Sequence, residues 1–160
     1  MAMVIAVANQ KGGVGKSTTV VNLAACLGLK KKKVLCVDMD AQGNTTSGFG
    51  VRKKNVTVST YDVLLGLRRI QDAIIDTEFD NVSLVPATSA LAAADIELIE
   101  VDNMQMRMKM QLLTVADEYD YILLDCPPSL SLIPINALCA CDTVLVPMTC
   151  EYFAMEGLSQ

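Results

Sequence analysis

The sequence contains no histidine. That absence excludes histidine-based catalytic triads, histidine metal ligands and imidazole pH switches. No C-x-x-C pair occurs either: Cys26, Cys36, Cys126, Cys139, Cys141 and Cys150 mostly sit inside apolar runs. In a chain without an export signal, such cysteines read as reduced, small core residues. No apolar run approaches the roughly 20 residues that a membrane helix needs. Residues 1–9 are apolar but lack the basic front of a signal peptide. These absences predict a cytoplasmic protein with no membrane segment. Internal repeats, low-complexity tracts and linkers are also missing, which predicts one domain over residues 1–160. Positive charge is in the minority: 13 basic residues against 18 acidic leave a net charge of −5. That balance argues against a chain wrapped along nucleic acid by bulk charge, which needs clustered Lys and Arg.

What is present is a long apolar fraction in a modest length. Of 160 residues, 52% are hydrophobic and 19% charged, so intrinsic disorder is excluded and a sizeable core is expected. Strand-length runs at 3–8, 33–38, 82–86, 121–125 and 143–147 are nearly continuous in Val, Ile and Leu. Strands buried on both faces have that composition. Between them, residues 17–29, 89–99, 103–118 and 131–139 read as helices. The alternation predicts an α/β fold, a doubly wound, mostly parallel sheet flanked by helices. Within 103–118, Met104, Met106, Met108 and Met110 alternate with Gln105, Arg107 and Lys109. Their helix propensity outweighs the period of two, so Met104 and Met108 are expected on one face and Met106 and Met110 near the other. The chain stops at Gln160 in what reads as a helix just beginning, which predicts a fragment lacking its C-terminal part.

The chemistry concentrates in Asn9-Gln10-Lys11-Gly12-Gly13-Val14-Gly15-Lys16-Ser17-Thr18, between the first strand and the first helix. A plain P-loop reads G-x-x-x-x-G-K-[ST], and counting back from Gly15 puts Gln10 where its first glycine belongs. The physics survives that departure. Three glycines let successive backbone N–H groups turn onto an anion, and the helix N-terminus adds its positive end. Gly12, Gly13, Val14, Gly15, Lys16, Ser17 and Thr18 are thus the candidate ATP/ADP-binding residues. Lys16 would reach the β- and γ-phosphates, and the Ser17 hydroxyl would bind Mg²⁺.

Two further segments supply carboxylates. The second strand runs into Val37-Asp38-Met39-Asp40-Ala41-Gln42-Gly43-Asn44-Thr45-Thr46-Ser47-Gly48. Ligands of open α/β sheets bind beyond the carboxyl ends of the strands, so both aspartates emerge beside the phosphate loop. In an extended segment they point the same way, although Asp38 reads equally well as a turn cap. The fourth strand, Tyr121-Ile122-Leu123-Leu124-Asp125, has the Walker B pattern, and Asp125 would hold magnesium through a water. Ser17, Asp40 and Asp125 are the candidate metal residues.

The second lysine of the loop, Lys11, gives Lys-Gly-Gly-Val-Gly-Lys-Ser-Thr, which resembles the deviant Walker A motif of the ParA/MinD ATPase superfamily. The resemblance implies that Lys11 reaches across a nucleotide-sandwich homodimer to the phosphates of the other subunit. The stretch from Asp38 resembles the Asp-x-Asp-Pro-Gln-Gly-Asn element of the ParA/Soj partition branch, with Ala41 in place of proline. By that resemblance Asp40 activates the attacking water, so Lys11, Lys16 and Asp40 form the catalytic set. Cys126-Pro127-Pro128-Ser129 resembles the family's γ-phosphate-sensing switch loop, though two prolines also stiffen any loop. The similarity extends through Val85-Pro86-Ala87-Thr88, Ile96-Glu97-Leu98, Asn136-Ala137-Leu138 and Glu151-Tyr152-Phe153-Ala154-Met155-Glu156-Gly157-Leu158. It implies a slow ATPase switch that dimerises around ATP and Mg²⁺, binds DNA non-specifically through its C-terminal part, and is reset by a ParB/Spo0J-like partner. On the nucleoid it would act in chromosome or plasmid partitioning. The basic clusters at 30–33 and 52–54 read as solvated faces.

Three alternatives share these motifs. A MinD-like membrane ATPase needs a C-terminal amphipathic helix, and Gln42-Gly43-Asn44 favours the partition branch over it. An iron protein of the nitrogenase-reductase type needs thiolates that share a cluster, and only Cys126 lies suggestively. The third is a nucleotide-binding fragment without catalysis.

Overall fold

A computed structural model describes residues 1–150. The expected helix start at 156–160 and the 151–158 part of the resemblance lie outside the described residues. In chain order the elements are β1 (Met3–Val7), α1 (Lys16–Leu29), β2 (Val34–Asp38), α2 (Asn44–Gly48), α3 (Thr60–Leu64), α4 (Ile70–Ala73) and β3 (Ile75–Asp76). They continue with β4 (Val82–Val85), α5 (Leu91–Glu97), α6 (Arg107–Leu112), β5 (Tyr121–Asp125), α7 (Leu132–Ala140) and β6 (Thr143–Leu145). The strands form one sheet in the order β3-β4-β2-β5-β1-β6. Every pairing is parallel except the short antiparallel β3–β4 contact. The five expected strands are all present, and β3 is an addition.

Both faces of the sheet are covered from β4 to β1, which explains the continuous apolar runs there, whereas the edge strand β6, expected to be buried like the others, is exposed at all three residues. Leu35 and Val37 of β2 join Val4, Ala6, Ile122 and Leu124 in a core that includes Val63, Leu91, Met108 and Ile133 from α3, α5, α6 and α7. Their neighbours Val34 and Cys36 face the other way, packing with Val7, Leu123 and Leu84 against Val20 and Ala24 of α1. Each fully buried Leu, Val or Ile contributes on the order of 1.5–3 kcal/mol. The register aligns Val7 with Asp125 and Asp125 with Asp38. Three strands therefore end level, and the loops that follow them leave the sheet side by side.

The structure corrects two expectations. The helix expected over 103–118 is broken: Asn103 is left-handed at φ 56°, α6 covers only Arg107–Leu112, and a separate 3-10 turn spans Ala116–Glu118. Two local interactions explain this. Thr114 Oγ1 donates back to the Gln111 carbonyl at 2.7 Å, a β-branched residue's alternative to helix. At the other end, buried Asn136 of α7 accepts from Met108 N at 3.1 Å and donates to the Met104 carbonyl at 2.7 Å, fixing where α6 begins. The faces nonetheless sort as expected: Met108 is buried and Met104 packs against the core, while Met106 and Met110 are exposed. The cysteines are all free, but the core reading holds only for Cys36 and Cys126; Cys26 and Cys150 are exposed.

Candidate functional site

The loop between β1 and α1 is shaped by backbone dihedrals that only glycine adopts readily. Gly13 has φ +72° and Gly15 φ +88°, both left-handed. Side chains built at Gly12, Gly13 or Gly15 would point into open space, so the three positions face an empty concavity. The loop is also pinned from behind. Asn9 Nδ2 donates to the Pro147 carbonyl at 2.9 Å, and its Oδ1 accepts from Lys11 N at 2.9 Å. Lys16, only 8% exposed, folds over the loop and donates from Nζ to the Lys11 carbonyl at 3.1 Å.

The carboxylates arrive from the level ends of β2 and β5. Asp125 is fully buried, and its Oδ2 accepts from Ser17 Oγ at 2.6 Å and Thr45 Oγ1 at 2.7 Å. Its Oδ1 has no protein partner. Burial raises its carboxyl above the usual carboxylate range, opposed by the Ser17 and Thr45 hydroxyls, while nearby Asp40 adds to the rise and Lys16 counters it. A buried carboxylate oxygen left without a donor is costly unless a cation meets it.

Asp38 and Asp40 part company. Asp38 is fully buried and accepts from Thr46 N at 2.7 Å, Thr46 Oγ1 at 2.6 Å and Asp40 N at 3.1 Å. Burial pushes its carboxyl up to about 6 against that support. The turn-cap reading of Asp38 is the one realised. β2 ends at Asp38, the Met39 N–H still donates across to the Asp125 carbonyl at 3.0 Å, and the Gly43 N–H then closes a turn onto the Asp40 carbonyl at 2.8 Å. Asp40 is half-buried, and its Oδ1 accepts from Gln42 N at 2.9 Å.

Gly12, Gly13, Gly15, Lys16, Ser17, Thr18 and Asp40 line one cleft of about 450 Å³, together with Gln42, Asn44 and Pro128. Asp125 meets this group through Ser17. Lys11 and Val14 are not among the lining residues: Val14 is buried and Lys11 half-buried. Thr45 carries no mark in the sequence beyond its place five residues after Asp40, and the motifs assign no role to Gln42 or Asn44. Pro128 puts the 126–129 loop at the cleft. The Cys126 thiol is buried and pushed far up by desolvation. Among the described residues no cluster of three or more Cys, Asp or Glu side chains forms a metal cage. The donors available to a cation are instead a hydroxyl and a carboxylate, the oxygen set that magnesium favours with its waters. The basic clusters lie on the surface: residues 30–33 are exposed, Lys32 sits 3.7 Å from Asp120, and Lys53 Nζ donates to the Gln42 carbonyl.

Residues 2–160 match the protein family described as an AAA domain. The sporulation initiation inhibitor protein Soj of Bacillus subtilis is 51% identical over 160 residues, all of this chain and 63% of that protein. The structure of cobyrinic acid a,c-diamide synthase from Mycobacterium smegmatis with bound ADP and magnesium superposes with a TM-score of 0.96 at 38% identity, over all of this chain and 65% of that one. A plasmid partition protein from Borrelia burgdorferi B31 bound to AMPPNP superposes with a TM-score of 0.88 at 34% identity, over 99% of this chain and 66% of that one. The chain thus spans less than two thirds of the curated relative's length.

Proposed function

The chain belongs to the AAA domain family, in its ParA/Soj group, and on that premise we propose that it is an ATP-binding, slowly hydrolysing switch in chromosome or plasmid partitioning. Residues 1–160 would form one P-loop ATPase domain working in the cytoplasm. The observation that carries the reading is the buried carboxylate of Asp125, whose Oδ2 accepts from Ser17 at the start of α1 while its Oδ1 has no partner, next to a glycine loop that lines an open cleft.

In this reading the amides of Gly12, Gly13, Val14, Gly15, Lys16, Ser17 and Thr18 receive the phosphate chain of ATP. Lys16 Nζ exchanges the Lys11 carbonyl for β- and γ-phosphate oxygens. Ser17 and Asp125 would hold magnesium, with Asp40 nearby. When bound, the ion supplies positive charge against the phosphate oxygens. Asp40, on the turn closed by Gly43, orients the attacking water and accepts its hydrogen bond. Catalysis is then mostly positioning and electrostatics. Lys11 acts in trans across an ATP-dependent homodimer. That dimer binds DNA non-specifically, chiefly through sequence beyond this chain, and a ParB/Spo0J-like protein stimulates its reset.

The name of the Mycobacterium smegmatis structure points to a synthase built on the same fold. The higher identity to Soj, 51% against 38%, and the Asp40-Ala41-Gln42-Gly43-Asn44 turn favour partition. No helix among the described residues is long and apolar enough to cross a membrane. Phosphate release under Mg-ATP tests the catalytic assignment: Asp40→Ala should abolish most turnover while nucleotide still binds. Equal rates in the two proteins would defeat the role given to Asp40.

A further inference from the structure

Two adjacent threonines of α2 each donate to a different buried carboxylate. Thr45 Oγ1 donates to Asp125 Oδ2 at 2.7 Å, and Thr46 Oγ1 donates to Asp38 Oδ2 at 2.6 Å. Both threonines are completely buried. Thr46 is locked further, because its N–H also donates to Asp38 at 2.7 Å and its hydroxyl accepts from Ala87 N at 2.9 Å. Asp38 in turn is held from its carbonyl by Thr60 Oγ1 at 2.6 Å. Thr45 is thereby set at a fixed height against β5, one residue from an anchor tied to the ends of β2 and β4.

The consequence falls on Asp125. A carboxylate has two equivalent oxygens and rotates freely unless its hydrogen bonds distinguish them. Here both donors, Ser17 and Thr45, go to Oδ2, and Oδ1 is left bare. Ser17 is itself a metal candidate, so its hydroxyl has two tasks. Thr45 has one. We propose that Thr45 is the positioning residue of the metal site: with Ser17, its hydroxyl pins Oδ2 of Asp125 and so fixes the carboxylate beside the phosphate loop, with Oδ1 left as the oxygen open to a cation or its water. The proposal rests on the nucleotide-switch reading above and adds to it a residue outside the loop motifs. Outer hydrogen bonds of this kind orient metal ligands, and their loss typically weakens metal affinity about 10–100-fold.

The test separates metal from nucleotide. Binding of a fluorescent ADP to the 160-residue chain is titrated with Mg²⁺, and again in EDTA, for the unsubstituted protein, Thr45→Val, Thr45→Ala and Thr45→Ser. Melting temperatures are recorded alongside. The hydroxyl-free variants should raise the Mg²⁺ concentration at half-saturation about tenfold or more. Their ADP affinity in EDTA should stay within about twofold, and Thr45→Ser should restore the metal response, since the hydroxyl alone is at issue. A half-saturation unchanged in Thr45→Val and Thr45→Ala overturns the assignment. So does an equal loss with and without metal that follows the melting temperature, which would make Thr45 a packing residue only. If the unsubstituted chain shows no metal-dependent ADP binding, the nucleotide reading itself fails and the role of Thr45 fails with it.

Discussion

The pivotal residue is Asp125, a fully buried carboxylate with two donors on one oxygen and none on the other. Burial is the largest influence on its carboxyl and disfavours the charged form, so the protein carries a local instability where a cation is expected. Asp125→Asn removes the buried charge while its amide oxygen can still accept from Ser17 and Thr45. The variant should therefore melt no lower than the unsubstituted chain in EDTA, and its Mg²⁺-dependent gain in nucleotide binding should fall at least about tenfold. A clear drop in melting temperature without metal would mean that the carboxylate stabilises the fold by itself. Asp38 illustrates the opposite use of the same side chain. It is equally buried, yet three donors surround it and neither oxygen is bare, so it organises the turn instead of meeting a ligand. Sequence position alone leaves the use of Asp38 open, because that depends on its meeting Thr46 and the Asp40 N–H.

Among the elements, α1 bears the tightest constraint outside the site. A Cβ at Gly28 would lie 2.4 Å from the Asp80 carbonyl oxygen and 2.9 Å from Val82 Cγ2. Alanine would improve helix propensity by up to about 1 kcal/mol. The clash is with the backbone of the turn that precedes β4 and costs more, typically about 1–3 kcal/mol for overpacking. Gly28→Ala should thus lower the urea midpoint, and an unchanged or higher midpoint would show that α1 can slide on the sheet. The long elements were legible because each obeys one rule over many residues: parallel strands are apolar throughout, and α1 opens on a glycine loop. Residues 44–76 were not legible as α2, α3, α4 and β3, since pieces of two to five residues have no periodicity to detect. α3 is set instead by a capping box in which Asp62 accepts from Ser59 N at 2.8 Å, a short S-x-x-D signal that was present but faint. α6 was overextended for a related reason. Its Met, Gln, Lys and Arg residues favour helix everywhere, while its start is set by Asn136, 28 residues downstream of Met108, and its end by Thr114.

At the scale of the whole molecule, function follows from three strands ending level. Val7, Asp38 and Asp125 share one register line, so the phosphate loop, the Asp40 turn and the Pro128 loop converge without any long excursion of chain. Of the cleft-lining residues, Gly12, Gly13, Gly15, Lys16, Ser17, Thr18 and Asp40 were legible in the sequence, because G-K-S and strand-ending aspartates occupy fixed places in such sheets. Thr45 was not, since its importance depends on α2 carrying its hydroxyl to Asp125 at the end of β5. The central claim is that this convergence grips a nucleotide's phosphate chain with metal and Lys16. Calorimetry of ADP binding to the 160-residue chain, with Mg²⁺ and in EDTA, beside Lys16→Ala and Asp125→Asn tests it most directly. Removing a charged donor to phosphate should weaken binding about 10–100-fold, and Mg²⁺ should tighten binding only in the protein that keeps Asp125. Saturable binding that is indifferent to both Mg²⁺ and Lys16, or no binding at all, would contradict the account.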